Sequence, residues 1–381
     1  MAAHRIVPLF LALPLFAQDS GRDLRVSDGR SAPAGDCAAV LAGLRVGAPV
    51  RYGRLTLFPV YRDAKELPVV PLDAALKARW VRLKEVGTGS RARLEGAAPE
   101  HYVYIDNGLV LDGGGQDSTT GGGRTQPPRG KGNNGVGNGE DPQPPGDPPE
   151  NDGEGTGPGD PGNRRGPRPI WVGDFGTFCC EKGRSGGPDT FAAAEHLAPP
   201  RIRQLTTRGG AQQRIWDSVE EMEKAVGAGT GTHSLDALYR QRRVKDPAEA
   251  AVAALAPARR NATGVVYAID DRIVGADLYA GPNHFRLSFA MVVKSYALEA
   301  LATAPPAKKV SLPSQSDARG FLAAALAGDW TDTGARDAAS VFCADLDSLH
   351  GTFTLAGRSL VRAELFAKPA KEKKTPTKGG K

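Results

Sequence analysis

Cysteine is scarce in this chain. Only Cys37, Cys179, Cys180 and Cys343 occur among 381 residues. No two of them are spaced as C-x-x-C, so the usual ligand pairs of a structural zinc site are missing, and no metal or cofactor is expected. Four cysteines allow three pairings; Cys37 with Cys343 would join the two ends of the folded region, whereas bridging the neighbours Cys179 and Cys180 strains the peptide. Long apolar runs are lacking too. The stretch Ile6–Phe16 falls well short of the ~20 apolar residues that a membrane-spanning helix needs, and no other stretch comes closer. A general excess of positive charge is also missing. The net charge is +6, but the tail after Ala367 carries Lys368, Lys371, Lys373, Lys374, Lys378 and Lys381 against Glu372 alone. The rest of the chain is close to neutral, which argues against specific nucleic-acid binding.

What the chain has in plenty is glycine (48) and proline (30), unevenly spread. Residues 121–169 are almost entirely Gly, Pro, Asn and Asp with charged residues between, and such a composition builds no core. The N-terminus has Arg5, an apolar run and the small Ala17 before polar sequence, the pattern of an export signal. The organisation expected is therefore a signal peptide at 1–17, a flexible segment at 18–40 and the first half of one domain at 41–120. A disordered Gly/Pro-rich insertion follows at 121–169, then the second half of the domain at 170–366 and a disordered Lys-rich tail at 367–381. The expected location is periplasmic or extracellular, with no transmembrane helix once the signal is cleaved.

Local patterns give an outline of the fold. Arg54–Tyr61 reads as a strand in which Pro59 suggests an edge or a bend. Leu72–Trp80 has helical composition. His101–Asp112 reads as a hairpin turning at Asp106-Asn107-Gly108, and Gly264–Tyr279 as another turning at Asp270-Asp271. Ile170–Glu181 reads as extended. Ile215, Val219, Met222 and Val226 share one helical face. In Asp246–Leu255 the pattern sets Asp246 as cap and Pro247 at the first helical position. Arg286–Ala302 and the segment around Asp317–Gly328 are helical, and a last strand pair turns at Ala356-Gly357. Strands and helices intermix without a regular βαβ beat, which makes the fold class α+β, a mixed or antiparallel sheet with interspersed helices.

Gly183-Arg184-Ser185-Gly186-Gly187-Pro188 spells nearly like a serine nucleophile loop. An acid is needed where Arg184 stands in one such loop, and a strand running straight into Ser185 with a helix straight after it is needed in the other. Neither condition is met. The segment reads as a Gly-rich turn leading to a helix near Phe191–His196.

Several segments together carry a resemblance. "VRYGRLTLFPVY", "LVLDGGGQDSTT", "FGTFCCEKGR", "QQRIWDSVEE" and the block from Gly264 to Leu301 resemble, in order, motifs of a bacterial domain family. It is named for its association with ADP-ribosylglycohydrolase (ARG) and rhodanese-phosphatase proteins. In the family the second and third motifs are close together, so the resemblance implies that residues 121–169 are inserted within one domain. Two positions depart from the pattern: Ser118 where the family usually has Arg, and Ser185 where it has Trp. The resemblance implies an association with NAD and ADP-ribose metabolism and no settled chemistry.

Any site is expected among the polar members of those motifs. The ligand-binding candidates are Gln116 and Asp117 beside Gly113-Gly114-Gly115, Arg184 as a phosphate clamp, and Trp216 as a ring lining a pocket. The catalytic candidates are Glu181 as a base, Asp117, and Cys179, which needs a nearby base to become a thiolate. Asp277 and His284 flank the second hairpin, and His233 with Asp236 read as helix capping. Two functions remain open. One is an exported binding module for a small molecule of the ADP-ribose kind or for an envelope protein partner. The other is an enzyme acting on an ADP-ribose- or NAD-derived substrate, a class scarce outside the cytoplasm.

Overall fold

The computed structural model describes residues 34–63, 65–86, 91–96, 101–113, 117–121, 173–181, 190–191, 195–207, 212–308, 310–336 and 339–368. The expected signal, insertion and Lys-rich tail, together with Gln116, Arg184 and Ser185, lie outside the described residues. In chain order the first elements are α1 (Ala34–Ala42), β1 (Leu44–Val46), β2 (Val50–Tyr52), β3 (Leu55–Arg62), β4 (Val69–Pro71), α2 (Leu72–Lys77), β5 (Val81–Glu85) and β6 (Arg91–Gly96). Next come β7 (Tyr102–Tyr104), β8 (Leu109–Leu111), β9 (Ser118–Thr120), β10 (Gly173–Cys179), β11 (Thr190–Phe191), β12 (His196–Leu197), α3 (Pro200–Thr207), α4 (Gln212–Val226), α5 (Leu235–Arg240) and α6 (Arg242–Leu255). The last are β13 (Gly264–Ile269), β14 (Arg272–Tyr279), α7 (Pro282–Ala302), α8 (Gln315–Leu326), β15 (Thr331–Arg336), β16 (Ala339–Asp345), β17 (Leu349–Ala356) and β18 (Ser359–Ala367).

The strands form two antiparallel sheets and one small parallel pair, with helices interspersed, so the fold is α+β. The larger sheet runs β1-β3-β13-β14-β18-β17-β16-β15, with β2 also on β3. The second runs β11-β5-β6-β10-β9-β8-β12. Both sheets mix strands from before and after residues 122–172: β3 pairs β13, and β10 lies between β6 and β9.

Alternation on the strands sorts the core. On β3 and β13, Leu55, Leu57, Val265, Tyr267 and Ile269 face α6 and α7. Phe58, Val60, Val266 and Ala268 face the opposite way, toward Cys37 and Leu41 of α1 and Leu322 of α8. The two faces of one strand thus belong to two cores, as the period of two requires. Helix α7 lies between the sheets and is apolar almost all round, with 14 of its 21 residues buried. Its Phe285, Phe289, Val292 and Tyr296 join the larger sheet and Leu83, Leu94 and Leu111 of the second in one cluster. Burying each such side chain contributes about 1.5–3 kcal/mol.

The structure corrects several local expectations. Pro59 is on an interior strand; it falls between the stretches of β3 paired with β1 and with β2, and its carbonyl accepts from Gly47 N at 2.7 Å, so its missing N–H removes no ladder bond. His101–Asp112 is not a hairpin. β7 pairs β4 in parallel, while β8 pairs β9 and β12. Helix α6 starts at Arg242, which leaves Pro247 inside it rather than at its first position. Phe191 and His196, expected at a helix, lie in the short strands β11 and β12. Helix α1 stands ahead of residue 41, with Cys37 buried, and β15 and β16 extend the sheet beyond the last strand pair that was read.

Asp106-Asn107-Gly108, expected as a hairpin turn, is buried beside a charge network. Arg203 of α3 binds Asp277 through both terminal nitrogens, at 2.9 and 3.0 Å, and Glu364 at 2.7 Å. Arg362 binds Asp106 at 2.7 Å and Asp277 at 2.6 Å. The Tyr296 hydroxyl also donates to Asp277. All five charged side chains are within 2% of full burial. Burial pushes Asp277 upward, but Arg203 and Arg362 outweigh it and hold the carboxyl below its usual range. Burial raises Asp106 and Glu364, with the arginines opposing. Gly108 has φ +78°, and a Cβ there would come within 2.5 Å of Arg203 Cγ, so the loop passes the arginine only as glycine.

Candidate functional site

Asp117, Glu181 and Cys179, singled out in the sequence, meet other polar residues at one end of the second sheet. β8 ends there, β9 and β12 start there, and β10 ends there, so Asp112, Asp117, His196, Cys180 and Glu181 come together from four strand ends. The backbone ties them: Asp117 N donates to Glu181 Oε2 at 3.0 Å and Cys180 N to Asp117 O at 2.9 Å. The loop before α5 is stitched on by Leu235 N donating to Cys180 O at 3.1 Å.

Ser234 does two jobs. Its Oγ accepts from Ala237 N at 3.1 Å, capping α5, and donates to Asp117 Oδ2 at 2.8 Å. That cap sets Asp236 in the first turn of α5, where its carboxylate joins those of Asp112 and Asp117. One oxygen from each of the three lies within 4.8 Å of the others. Arg240, one turn on, bridges the outer rim: its Nη2 is 2.6 Å from Asp112 Oδ2 and 2.8 Å from Asp236 Oδ2. The group opens to solvent through these two side chains, Asp112 at 37% and Arg240 at 63% exposure, while Asp117, Glu181 and Ser234 are buried. Burial raises Asp236 to about 6, with Arg240 opposing and Asp112 and Asp117 adding to the rise.

His196 completes the inner wall. It stacks on Tyr239 with ring centroids 4.4 Å apart. Its Nε2 is 3.8 Å from Asp236 Oδ1, and its Nδ1 is buried with no hydrogen-bond partner among the described residues. Burial pulls its pKa down to about 4, so the ring is neutral near pH 7.

On the other side of β10, Gln212 at the start of α4 clamps Cys179: its Oε1 accepts from Cys179 N at 2.9 Å and its Nε2 donates to Cys179 O. The Cys179 thiol donates to Glu181 O at 2.6 Å, and burial raises its pKa. That is the opposite of what a nucleophile needs. Trp216 is half-buried; its indole N–H has no partner of hydrogen-bond geometry, although it lies near enough to the Cys179 sulfur to offset part of that rise. All four cysteines are thiols.

Asp117, Glu181, Cys179 and Trp216 are thus gathered in one place. Asp277 and His284 belong to the interior, both fully buried. His233 has φ +52° and its Nδ1 lies 2.5 Å from the buried Glu223 carboxylate, so Ser234 rather than His233 is the cap. The sequence reading missed Asp112, His196, Ser234 and Arg240 and gave Asp236 no part in a site. Asp117 is legible beside its glycines, but Asp236 lies far along the chain in a helix start that reads as a cap.

A family model for the ARG and Rhodanese-Phosphatase-superfamily-associated Protein domain matches residues 174–366, just over half of the chain. The chain belongs to this family. The matched span includes Glu181, His196, Ser234, Asp236 and Arg240 of the site, while Asp112 and Asp117 reach it from β8 and β9, before the span begins. No curated protein and no solved structure matches the chain. Among the described residues no helix is long and apolar enough to cross a membrane.

Proposed function

We propose that this family member binds a small polar ligand at the strand-end cluster of Asp112, Asp117, Glu181, Ser234, Asp236 and Arg240. The observation that carries the reading is convergence. Polar groups from four strand ends and one helix are held together, mostly buried, yet open to solvent on one side. Keeping several carboxylates partly desolvated beside one another is costly, and a ligand that donates hydrogen bonds offsets that cost. The inner wall offers acceptors almost exclusively, which suits a hydroxyl-rich group such as a ribose, and Arg240 at the rim suits an attached phosphate. The family's association with ADP-ribosylglycohydrolase supports an ADP-ribose- or NAD-derived ligand. Gln116 and Arg184 neighbour the same strand ends in sequence, outside the described residues. The export pattern of residues 1–17 makes this an exported binding module, and the lysine-rich tail suits contact with an anionic envelope component.

The second reading, an enzyme on the same ligand class, is favoured by the packing of three carboxylates within 4.8 Å. That arrangement can divide general acid and base roles among them. The test of both starts with a thermal-shift series on the full chain with ADP-ribose, NAD, other nucleotides and simple sugars. A ligand at a hundredfold excess over its Kd stabilises by ~2.7 kcal/mol, and Asp117→Asn abolishes the shift. Turnover of the shifting ligand separates enzyme from binder. A cooperative melt unmoved by every compound sinks the small-molecule reading.

A further inference from the structure

From Arg240 to Lys245 the chain reads Arg-Gln-Arg-Arg-Val-Lys, four cations in six residues with no acid among them. The segment joins the end of α5 to the first turn of α6. Arg240 is engaged with Asp112 and Asp236. Arg242, Arg243 and Lys245 are exposed and make no ion pair among the described residues, not even with Asp246 and Glu249, the next acids along α6. Buried Val244 anchors the turn, and Arg243 Nη1 donates to Gly227 O at 3.0 Å, so the three charges are held on a fixed face. A helix carries partial positive charge at its start, where acids stabilise and further cations repel. The first turn of α6 has no acid, and Gln241 gives it no side-chain cap. Helix and side chains therefore add to one positive field facing solvent, which attracts an anionic partner.

The chain carries a polyanion of its own. Residues 140–160 hold seven acids and no lysine or arginine. Length permits contact. From Asp160 to Gly173, where β10 begins, is thirteen residues, which reach about 45 Å when extended. The seven residues of β10 cover about 23 Å. Cys180, just beyond, accepts from Leu235 N at 3.1 Å, and the six residues of α5 add about 9 Å. The other arm, from Gly121 to Glu140, is nineteen residues and longer still. We propose that Arg242, Arg243 and Lys245 form the docking surface for the acidic stretch 140–160 of the same chain. The guanidinium forks take carboxylates in pairs and the lysine acts as a point charge. Exposed pairs are weak singly, but a tethered partner is present at an effective concentration on the order of mM. Any outside polyanion, or a second copy, must compete with it. The contact does not depend on the small-molecule reading of the strand-end cluster.

Carbodiimide cross-linking of the full chain at low ionic strength, read by peptide mass spectrometry, tests the contact. The reagent joins a carboxylate to a lysine amine that touches it. The expected product links Lys245 to an acid of residues 140–160 within one chain, and its yield falls at least about fivefold in ~0.5 M salt. Arg242→Lys and Arg243→Lys keep the charge and bring an amine to each position, so each variant gains a link of its own. Changing the seven acids to their amides abolishes every one of these links and alters no described residue, so it stays informative whatever the patch variants do. Circular dichroism checks that those variants are folded. Mixing 15N-labelled with unlabelled chains separates contact within a chain from contact between chains. Links from residues 140–160 that reach only Lys131 or the tail lysines overturn the proposal. So does a Lys245 link found only between labelled and unlabelled chains, or the absence of a link at all three positions. A Lys245 link indifferent to salt and to Arg242→Gln with Arg243→Gln overturns it too, because charge would not be what holds the segment.

Discussion

Two clusters in this protein are made of the same parts, aspartate or glutamate facing arginine, and they differ in what surrounds them. In the interior, Arg203 and Arg362 face Asp106, Asp277 and Glu364, every side chain is sealed, and each guanidinium makes several short bonds. At the strand ends, Arg240 meets Asp112 and Asp236 from the solvent side, and Asp117 behind them accepts from Ser234 Oγ and Gly113 N. The first cluster is nearly satisfied and locks α3, α7, β14, β18 and the loop before β8 together. The second is reached by a guanidinium only from its exposed rim. Full burial marks the structural cluster, and the side left open on the other is where the proposed ligand would enter.

The sharpest way to break the comparison is to remove the buried arginine. Arg203→Gln takes one of two arginine partners from Asp277 and Glu364 where both carboxylates are fully buried. The expected loss is about 3–5 kcal/mol, read as a collapse of the denaturant midpoint. Asp277 has a folded pKa below its unfolded value, so the stability it contributes is present above the unfolded pKa and lost as pH falls. The acid limb of the natural chain should therefore be steeper than that of Arg203→Gln. A loss under about 1 kcal/mol would show that the network is not the lock described.

A second effect comes from His284, which is fully buried with neither ring nitrogen hydrogen-bonded among the described residues. Burial, with Arg362 adding to it, lowers its pKa to about 3. The rings of Tyr104 and Tyr279 and the Arg362 guanidinium surround it, and Glu66 meets its backbone N–H. The unfolded chain takes up this proton first, so stability falls between pH ~6.5 and about 3 by ~1.4 kcal/mol per unit. In His284→Phe that contribution vanishes, and the difference between the two proteins, measured by urea unfolding from pH 7 to pH 4, isolates it. Parallel curves would mean that the imidazole is hydrated in solution.

Much of the fold could be read locally because its elements are locally determined. α4 shows its face in 3.6-residue periodicity, α7 is a long and largely apolar helical run, and β13–β14 turns where Asp270 accepts φ +52°. Residues 101–112 misled because two apolar runs around Asp-Asn-Gly look alike whether they pair with each other or with distant strands. Here β4, β9 and β12 compete successfully for them, and the turn residues are consumed by Arg362 and Arg203. The site shows the same division. Asp117 and Glu181 were legible as members of motifs flanked by glycines. Asp236, His196 and Arg240 carry no local mark, since a helix start, a two-residue strand and a helix end predict nothing about a shared neighbour. Only the register of β8 against β9 and β12 brings them together.

Ser234 tests how tightly the open cluster is built. Ser234→Ala removes the α5 cap and the donor to Asp117 at once, and about 1–2 kcal/mol of stability should go with it. Ser234→Thr keeps both bonds and should restore most of that. If Ala costs nothing, Asp117 is oriented by its other contacts and the loop before α5 is not what sets the carboxylates.

The smallest expected effect is the most instructive, because it repeats the first experiment on the same residue type. Arg240 touches two carboxylates at 2.6 and 2.8 Å, distances as short as those of Arg203. Contact geometry alone would therefore rank the two arginines together. Exposure separates them: water replaces Arg240's bonds when it is removed, and the pair interaction is screened. Arg240→Gln should cost at most about 1 kcal/mol, and less in 0.5 M salt than at low ionic strength. A loss comparable to that of Arg203→Gln, and insensitive to salt, would mean that Arg240 is a lock like the interior pair and that the strand-end cluster is already complete. A small, salt-dependent loss keeps the contrast and leaves the three carboxylates held in place with room for a partner from outside the chain.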